Sequence, residues 1–239
     1  MTKLGALAIS VLALAATDVM AGQAPRGGKA AKAKASPPAR GAANPNRARL
    51  SAPSRLTEIA PGTFKARFDT SAGLFVIEVH RDWSPLGADR FYNLVKNGFY
   101  DDTRFFRVLD GFMAQIGMNG DPDIQRVWGN ANFSDEPVKE SNKRGFVSFA
   151  KTQAPDSRST QFFINFADNS GLDGQGFSPF GQVVSGMDVV DKLYSGYGRT
   201  NVPDQARIAA EGNAYLLKAY PKLDYVRRAT IEPASKGLE

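Results

Sequence analysis

The sequence predicts a mainly β domain of barrel type, and three observations lead there. Short runs rich in Phe, Val and Ile recur between clusters of Gly, Asp, Asn and Ser. Only two or three segments carry helical spacing, so strands and helices do not alternate as a parallel βαβ sheet requires. The 239-residue chain has no cysteine, so the fold rests on a packed core without disulfides.

Two stretches precede that domain. Lys3, the apolar run Leu4 to Ala16 and the small-residue pattern Val19-Met20-Ala21 read as a secretory signal cleaved after Ala21. The run falls short of the ~20 apolar residues of a spanning helix. Export without disulfides fits a bacterial periplasm. Residues 22 to 55 consist of small, polar and basic residues with no acid and no aromatic, the composition of a disordered linker. They hold eight of the 30 basic residues and none of the 24 acids. With Lys3 and Asp18 set aside, 21 basic and 23 acidic residues remain over 56 to 239. The net charge of +6 therefore belongs to the arm, and nucleic-acid binding by the domain is not expected. The arm reads as a solvated spacer whose charge favours weak contact with anionic surfaces.

Within 56–239, "TFKARFDTSAGLFVIEVH" is a hairpin: Phe64, Ala66 and Phe68 alternate with polar residues, and "DTSAG", Asp69 to Gly73, supplies the turn. "DWSPLGADRFYNLVKNGFY" is a helix of about three turns, with Ser84 as N-cap, Pro85 at its first position and Asn97-Gly98 closing it. "FFRVLDGFMAQIG" reads as two strands about a tight turn. Residues 118 to 144 are polar and read as a long loop, with Asp121-Pro122-Asp123 as a turn. "GFVSFA" and "TQFFINF" are strands joined by a turn-rich connection. "GMDVVDKLY" is a short helix, "AEGNAYLLKAY" a further one stopped by Pro221, and "DYVRRATIE" a last strand.

Much chemistry is excluded. The single histidine, His80, has no G-x-S-x-G serine elbow to serve and reads as structural. The acids lack metal-ligand spacing, and "GLDGQG" matches neither dinucleotide nor P-loop glycines. What stands out is one arginine, Arg107, and one glutamine, Gln115, inside the apolar run 105 to 117. A loop of Leu109 to Gly111 places Arg107 opposite Met113, with Gln115 on the same face. A two-residue Asp110-Gly111 loop instead pairs Arg107 with Ala114. Turn chemistry leaves this open.

"FFRVLDGFMAQIG", then "STQFFINFADNSGLDGQGFSPFGQV", then "GMDVVDKL", resemble the cyclophilin-type peptidyl-prolyl cis-trans isomerases, especially exported bacterial members. The likeness runs from about Phe68 to Leu193, with F-x-R, G-F-M-x-Q, T-Q-F-F-I, L-D and F-G-x-V in one order. It implies an eight-stranded antiparallel β-barrel, cyclophilin-like and closed at each end by a helix, with the proline site on the outer face. Carried over, the catalytic arginine falls on Arg107, the proline pocket on Phe112, Met113, Phe163 and Leu172, and the polar rim on Gln115 and Gln161. The backbone that pairs with substrate falls on Ala150 and Lys151. Two positions depart from the pattern. Gly171 stands where several relatives have Trp or Phe before the Leu-Asp pair. Phe177 lies nearest the place of a family histidine, in a segment one residue longer, and is expected to supply apolar surface. The activity implied is rotation about Xaa-Pro bonds of exported polypeptides in aid of folding, without metal or other cofactor, by a monomer. The other reading is a proline-peptide holdase with weak or no catalysis.

Overall fold

A computed structural model describes residues 44–233; the expected secretory signal and most of the expected basic linker lie outside the described residues. Among those described, the strands are β1 (Thr63–Thr70), β2 (Gly73–His80), β3 (Arg107–Leu109), β4 (Met113–Ile116), β5 (Phe146–Phe149), β6 (Phe162–Asn165), β7 (Pro179–Ser185) and β8 (Val226–Ile231). They form one antiparallel sheet in the order β3-β4-β6-β5-β7-β2-β1-β8. Its two ends meet where Arg104 bridges Tyr225. Around that bridge the Phe105 N–H donates to the Asp224 carbonyl at 2.9 Å, and the Val226 N–H to the Thr103 carbonyl at 2.9 Å. The sheet thus curls into a barrel, so that its edge strands β3 and β8 do not lie bare.

Period-2 patterning builds the first hairpin. Phe64, Ala66, Phe68 and Thr70 of β1 point inward, and Thr70 pairs with Gly73 across a two-residue turn. The barrel is filled mainly by rings: Phe68, Phe75, Phe91, Phe162 and Phe180 lie fully buried with Tyr100. Tyr100 donates its hydroxyl to the Thr160 carbonyl at 3.0 Å, and burial pushes its phenol well above the ordinary value.

Helix α2 (Pro85–Lys96) packs Phe91, Leu94 and Val95 into this core. Ser84 occupies the expected N-cap position without capping the backbone itself. Its hydroxyl bonds the Glu136 carboxylate, which accepts from the Leu86 N–H at 2.7 Å and the Gly87 N–H at 3.0 Å. A carboxylate fifty residues away thus satisfies the orphan donors at the positive end of the helix. The second expected cap is a single turn, α4 (Met187–Val190), seated on β2.

Four expectations are corrected. The span 118 to 144 contains a helix, α3 (Pro122–Trp128). Its start is Asp121-Pro122-Asp123, where the Asp121 carboxylate accepts from the Asp123 N–H at 2.9 Å; what reads as a turn is a capped helix with proline in its first turn. The segment "AEGNAYLLKAY" belongs to two helices, α5 (Gln205–Glu211) and α6 (Asn213–Ala219). Gly212 separates them at φ 58°, ψ −141°, where an added Cβ would meet the Gly120 carbonyl at 2.1 Å. Residues 44 to 55, assigned by composition to the linker, are folded: α1 (Arg47–Leu50) buries Leu50, and the Trp128 indole donates to the Leu50 carbonyl at 2.7 Å. Arg47 pairs with Asp121 at 2.8 Å. A composition averaged over 34 residues hides one apolar anchor, and the surface that receives it is the helix α3 that the sequence did not reveal.

Candidate active site

The β3–β4 hairpin sets the first part of the site. Arg107 pairs with Gln115, Val108 with Ala114 and Leu109 with Met113, so the loop is Asp110-Gly111-Phe112. Neither register weighed from turn chemistry is the observed one. The loop closes with Gly111 at φ 69° and the Phe112 N–H on the Leu109 carbonyl at 3.0 Å. Parity nevertheless follows the wider loop: Arg107, Leu109, Met113 and Gln115 share one face, while Val108 and Ala114 join the barrel core.

Strand β6 continues that face. Gln115 pairs with Phe163, while Phe162 and Ile164 on either side of it point into the core. The result is a second apolar cluster on the opposite side of the sheet: Leu109, Met113, Phe163, Leu172 and Phe177, with Phe112 and Ala150 packed against it. The Phe163 and Phe177 rings meet edge-to-face at 5.7 Å. All four carried-over pocket residues are thus together, with Phe177 among them as expected. Leu109 is a member the sequence did not single out, since it reads there only as part of a turn.

Loops that carry pocket residues are pinned by polar groups. Asn169 donates to the Phe112 carbonyl at 2.8 Å and to Asn165 Oδ1 at 2.7 Å. Asp173, beside Leu172, accepts from the Ser141 hydroxyl at 2.5 Å, the Asn142 N–H at 2.9 Å and the Asn142 amide at 2.7 Å. Burial alone would raise the Asp173 carboxyl, but these bonds outweigh it and hold it below the usual range. Asn142 also donates to the Phe177 carbonyl at 2.8 Å. Gly171 is exposed and a Cβ there would meet nothing, so that side of the pocket is open.

Beside the apolar floor runs a chain of donors. Arg107 donates to Gln115 Oε1 at 3.2 Å, Gln115 to Gln161 Oε1 at 2.9 Å, and Gln161 to Gln205 Oε1 at 3.3 Å. Arg107 is half-buried, and among the described residues it has no carboxylate partner. Burial lowers its pKa, and the positive field of Arg199 lowers it further, though an arginine remains charged at any physiological pH. Gln205 and Arg199 belong to the segment after β7 and lie outside the motifs that carry the resemblance, so the sequence offered no signal for them. On the far side, the Ala150 N–H is taken by the Gln161 carbonyl at 2.8 Å. The Lys151 backbone groups have no protein partner among the described residues, and its ammonium lies 5.9 Å from the Phe177 ring centroid. His80 sits apart from all this, stacked on Trp83 at 4.1 Å.

A half-buried cation hydrogen-bonded to an amide chain above an apolar pocket is an arrangement for binding and polarising a neutral group. Residues 65–211 match the family model described as cyclophilin type peptidyl-prolyl cis-trans isomerase/CLD. The chain belongs to that family. As a cyclophilin it is 39% identical over 146 residues to a peptidyl-prolyl cis-trans isomerase of Acinetobacter baylyi, covering 57% of this chain and 77% of that protein. It is 38% identical over 139 residues to peptidyl-prolyl cis-trans isomerase B of Escherichia coli, covering 53% and 81%. The structure is similar to that of a cyclophilin type isomerase of Cryptosporidium parvum, with a TM-score of 0.54 and 19% identity over 72% of this chain and 98% of that one. The activity of this cyclophilin is isomerisation of Xaa-Pro bonds in proline-containing peptides.

Proposed function

We propose that this cyclophilin accelerates rotation by holding the proline ring on Phe112, Met113, Phe163, Leu172 and Phe177 while Arg107 stabilises the twisted amide. Rotation about an Xaa-Pro bond passes through a state without amide resonance, in which the ring nitrogen pyramidalises and gains a lone pair. The uncatalysed barrier is about 20 kcal/mol. No bond breaks and no proton need move, so the catalyst must bind the twisted amide better than either planar form. A guanidinium meets that need, because it donates to the proline carbonyl or to the developing lone pair while always charged, from a partly dry site. Gln115 orients it, and Gln161 orients Gln115. The peptide backbone before proline pairs with the segment at Ala150 and Lys151, with Lys151 offering the open groups. That fixes one side of the bond while the other turns.

The observation that carries this reading is Arg107: a half-buried arginine with no acid partner among the described residues, on the rim of an outward apolar cluster. A guanidinium kept from a carboxylate, with one N–H on Gln115, keeps its other donors for a ligand. The test is cis-to-trans relaxation of a proline tetrapeptide, followed by exchange NMR, with the purified chain and its Arg107→Ala variant. Loss of about two to three decades in kcat/KM is expected for removing a transition-state donor. A variant as active as the parent would remove Arg107 from the mechanism.

Export to a periplasm is part of the same proposal. Its support is the charged start, the short apolar run and the small residues before Ala21. Clients are then exported chains whose folding waits on proline isomers, the protein acts as a monomer, and residues 22–43 serve as a spacer. No helix among the described residues is long and apolar enough to cross a membrane.

A further inference from the structure

Between β7 and β8 the chain builds a small annex with its own core. Ile208 of α5, Tyr215 and Leu216 of α6 and Leu223 are buried together with Phe106 and Met118, which flank the site hairpin. Tyr197, Tyr215 and Tyr220 interlock edge-to-face, with centroids 4.9 Å apart for Tyr197 and Tyr220 and 5.6 Å for Tyr215 and Tyr220. Tyr197 also packs on Tyr194 at 5.1 Å, and its hydroxyl accepts from the Lys222 N–H at 3.3 Å. The loop that follows is therefore tethered at its base, and two residues on it stands Arg199.

Arg199 points back at the site. Its guanidinium lies 5.8 Å from the Phe112 ring centroid. It is exposed, and among the described residues it has no ion-pair partner. Its positive field reaches Arg107, where it adds to burial, the larger cause, in lowering the pKa of that group. Two like charges on one rim, neither with an ion-pair partner among the described residues, raise the free energy of the empty site and favour an anion there.

Position decides which part of a substrate meets this rim. In the sheet order β3-β4-β6-β5, Arg107 opens the strand at one edge and Ala150 follows the strand three places away. Arg199 lies on the Arg107 and Phe112 side. If the residue before proline pairs at Ala150 and Lys151, as proposed above, Arg199 faces the chain leaving the proline.

We propose that Arg199, held over Phe112 by the tyrosine-anchored annex, is a specificity-determining residue that selects substrates with an acidic side chain following the isomerised proline. The inference rests on the binding direction given under Proposed function. Catalysis requires Arg107; preference among peptides requires Arg199.

The experiment compares three peptides that differ only in the residue after proline, Glu, Gln or Lys, by protease-free exchange NMR with the purified chain and the variants Arg199→Gln and Arg199→Glu. The readout is the ratio of kcat/KM for the Glu peptide to that for the Lys peptide. An exposed ion pair predicts a ratio of about two- to fivefold in the parent. That ratio should approach one in Arg199→Gln, invert in Arg199→Glu, and collapse near 1 M salt, where screening acts within about 3 Å. Equal rates for all three peptides in the parent, or a preference that survives Arg199→Glu, would overturn the inference while leaving the isomerase mechanism standing. No acceleration of any peptide would overturn both.

Discussion

Phe162 and Phe163 are neighbours in one strand, yet they belong to different parts of the molecule. Phe162 points inward, where its ring meets Phe68, Phe91, Tyr100 and Phe180 at centroid distances between 5.2 and 6.4 Å. Phe163 points outward to Met113, Leu172 and Phe177. Both are nearly inaccessible to water. The inner cluster is closed on all sides by strands and by α2, whereas the outer one is bordered by Arg107, the glutamine chain and the open side at Gly171. Burial alone therefore does not separate core from pocket. What separates them is whether a polar, incompletely partnered edge borders the apolar surface.

The sharpest way to break that distinction is to truncate each ring. Phe162→Ala should cost about 3–5 kcal/mol of stability in chemical denaturation, the range for large core cavities. A loss below about 1 kcal/mol would mean that the inner rings do not hold the barrel. Phe163→Ala should lower kcat/KM by about one to two decades while costing less stability than Phe162→Ala, because its cavity opens toward solvent. Equal destabilisation with unchanged turnover would make the outer cluster a second core. The open side can be tested by addition. A Cβ at Gly171 meets nothing, and Gly171→Trp is expected to tighten peptide binding about three- to tenfold by calorimetry, as added apolar contact area. Gln205→Ala removes the far end of the amide chain. It should reduce kcat about two- to threefold with KM nearly unchanged, consistent with a positioning residue worth a fraction of a hydrogen bond.

The smallest expected effect is that of pH. The lowered pKa of Arg107 means that its charge would be lost at less alkaline pH than that of a free arginine, so activity falls only as pH rises toward that range. No histidine stands at the pocket or rim; the single one, His80, lies apart from it, stacked on Trp83. kcat/KM should be flat between about pH 6 and 9. A bell-shaped profile would point to an acid or base the mechanism does not contain.

Local pattern made much of this legible. Alternation in "TFKARF" and the aromatic and β-branched run in "FFINF" mark strands, Ser84-Pro85 marks the start of α2, and the order of F-x-R, G-F-M-x-Q and T-Q-F-F-I names the site residues. Each of these signals is carried by residues close in the chain, where spacing translates directly into direction along a strand or helix. The hairpin register was not legible, because Asp110-Gly111 accommodates loops of more than one length. The actual cap of α2 was not legible either, since Glu136 reaches it from 50 residues away. Residues 44 to 55 read as linker because Leu50 is seated with the help of Trp128 of α3, which lies 78 residues further on.

Sequence by itself determined the class of fold, the strand character of β4 and β6, and an arginine set among hydrophobes, because those follow from side-chain type and local pattern. Only the tertiary structure decided that Leu109 joins the pocket, that Gln205 ends the amide chain, and that Arg199 stands over Phe112. Those contacts join segments brought together by closure of the barrel and by packing of the annex on Phe106 and Met118, and no local periodicity encodes them.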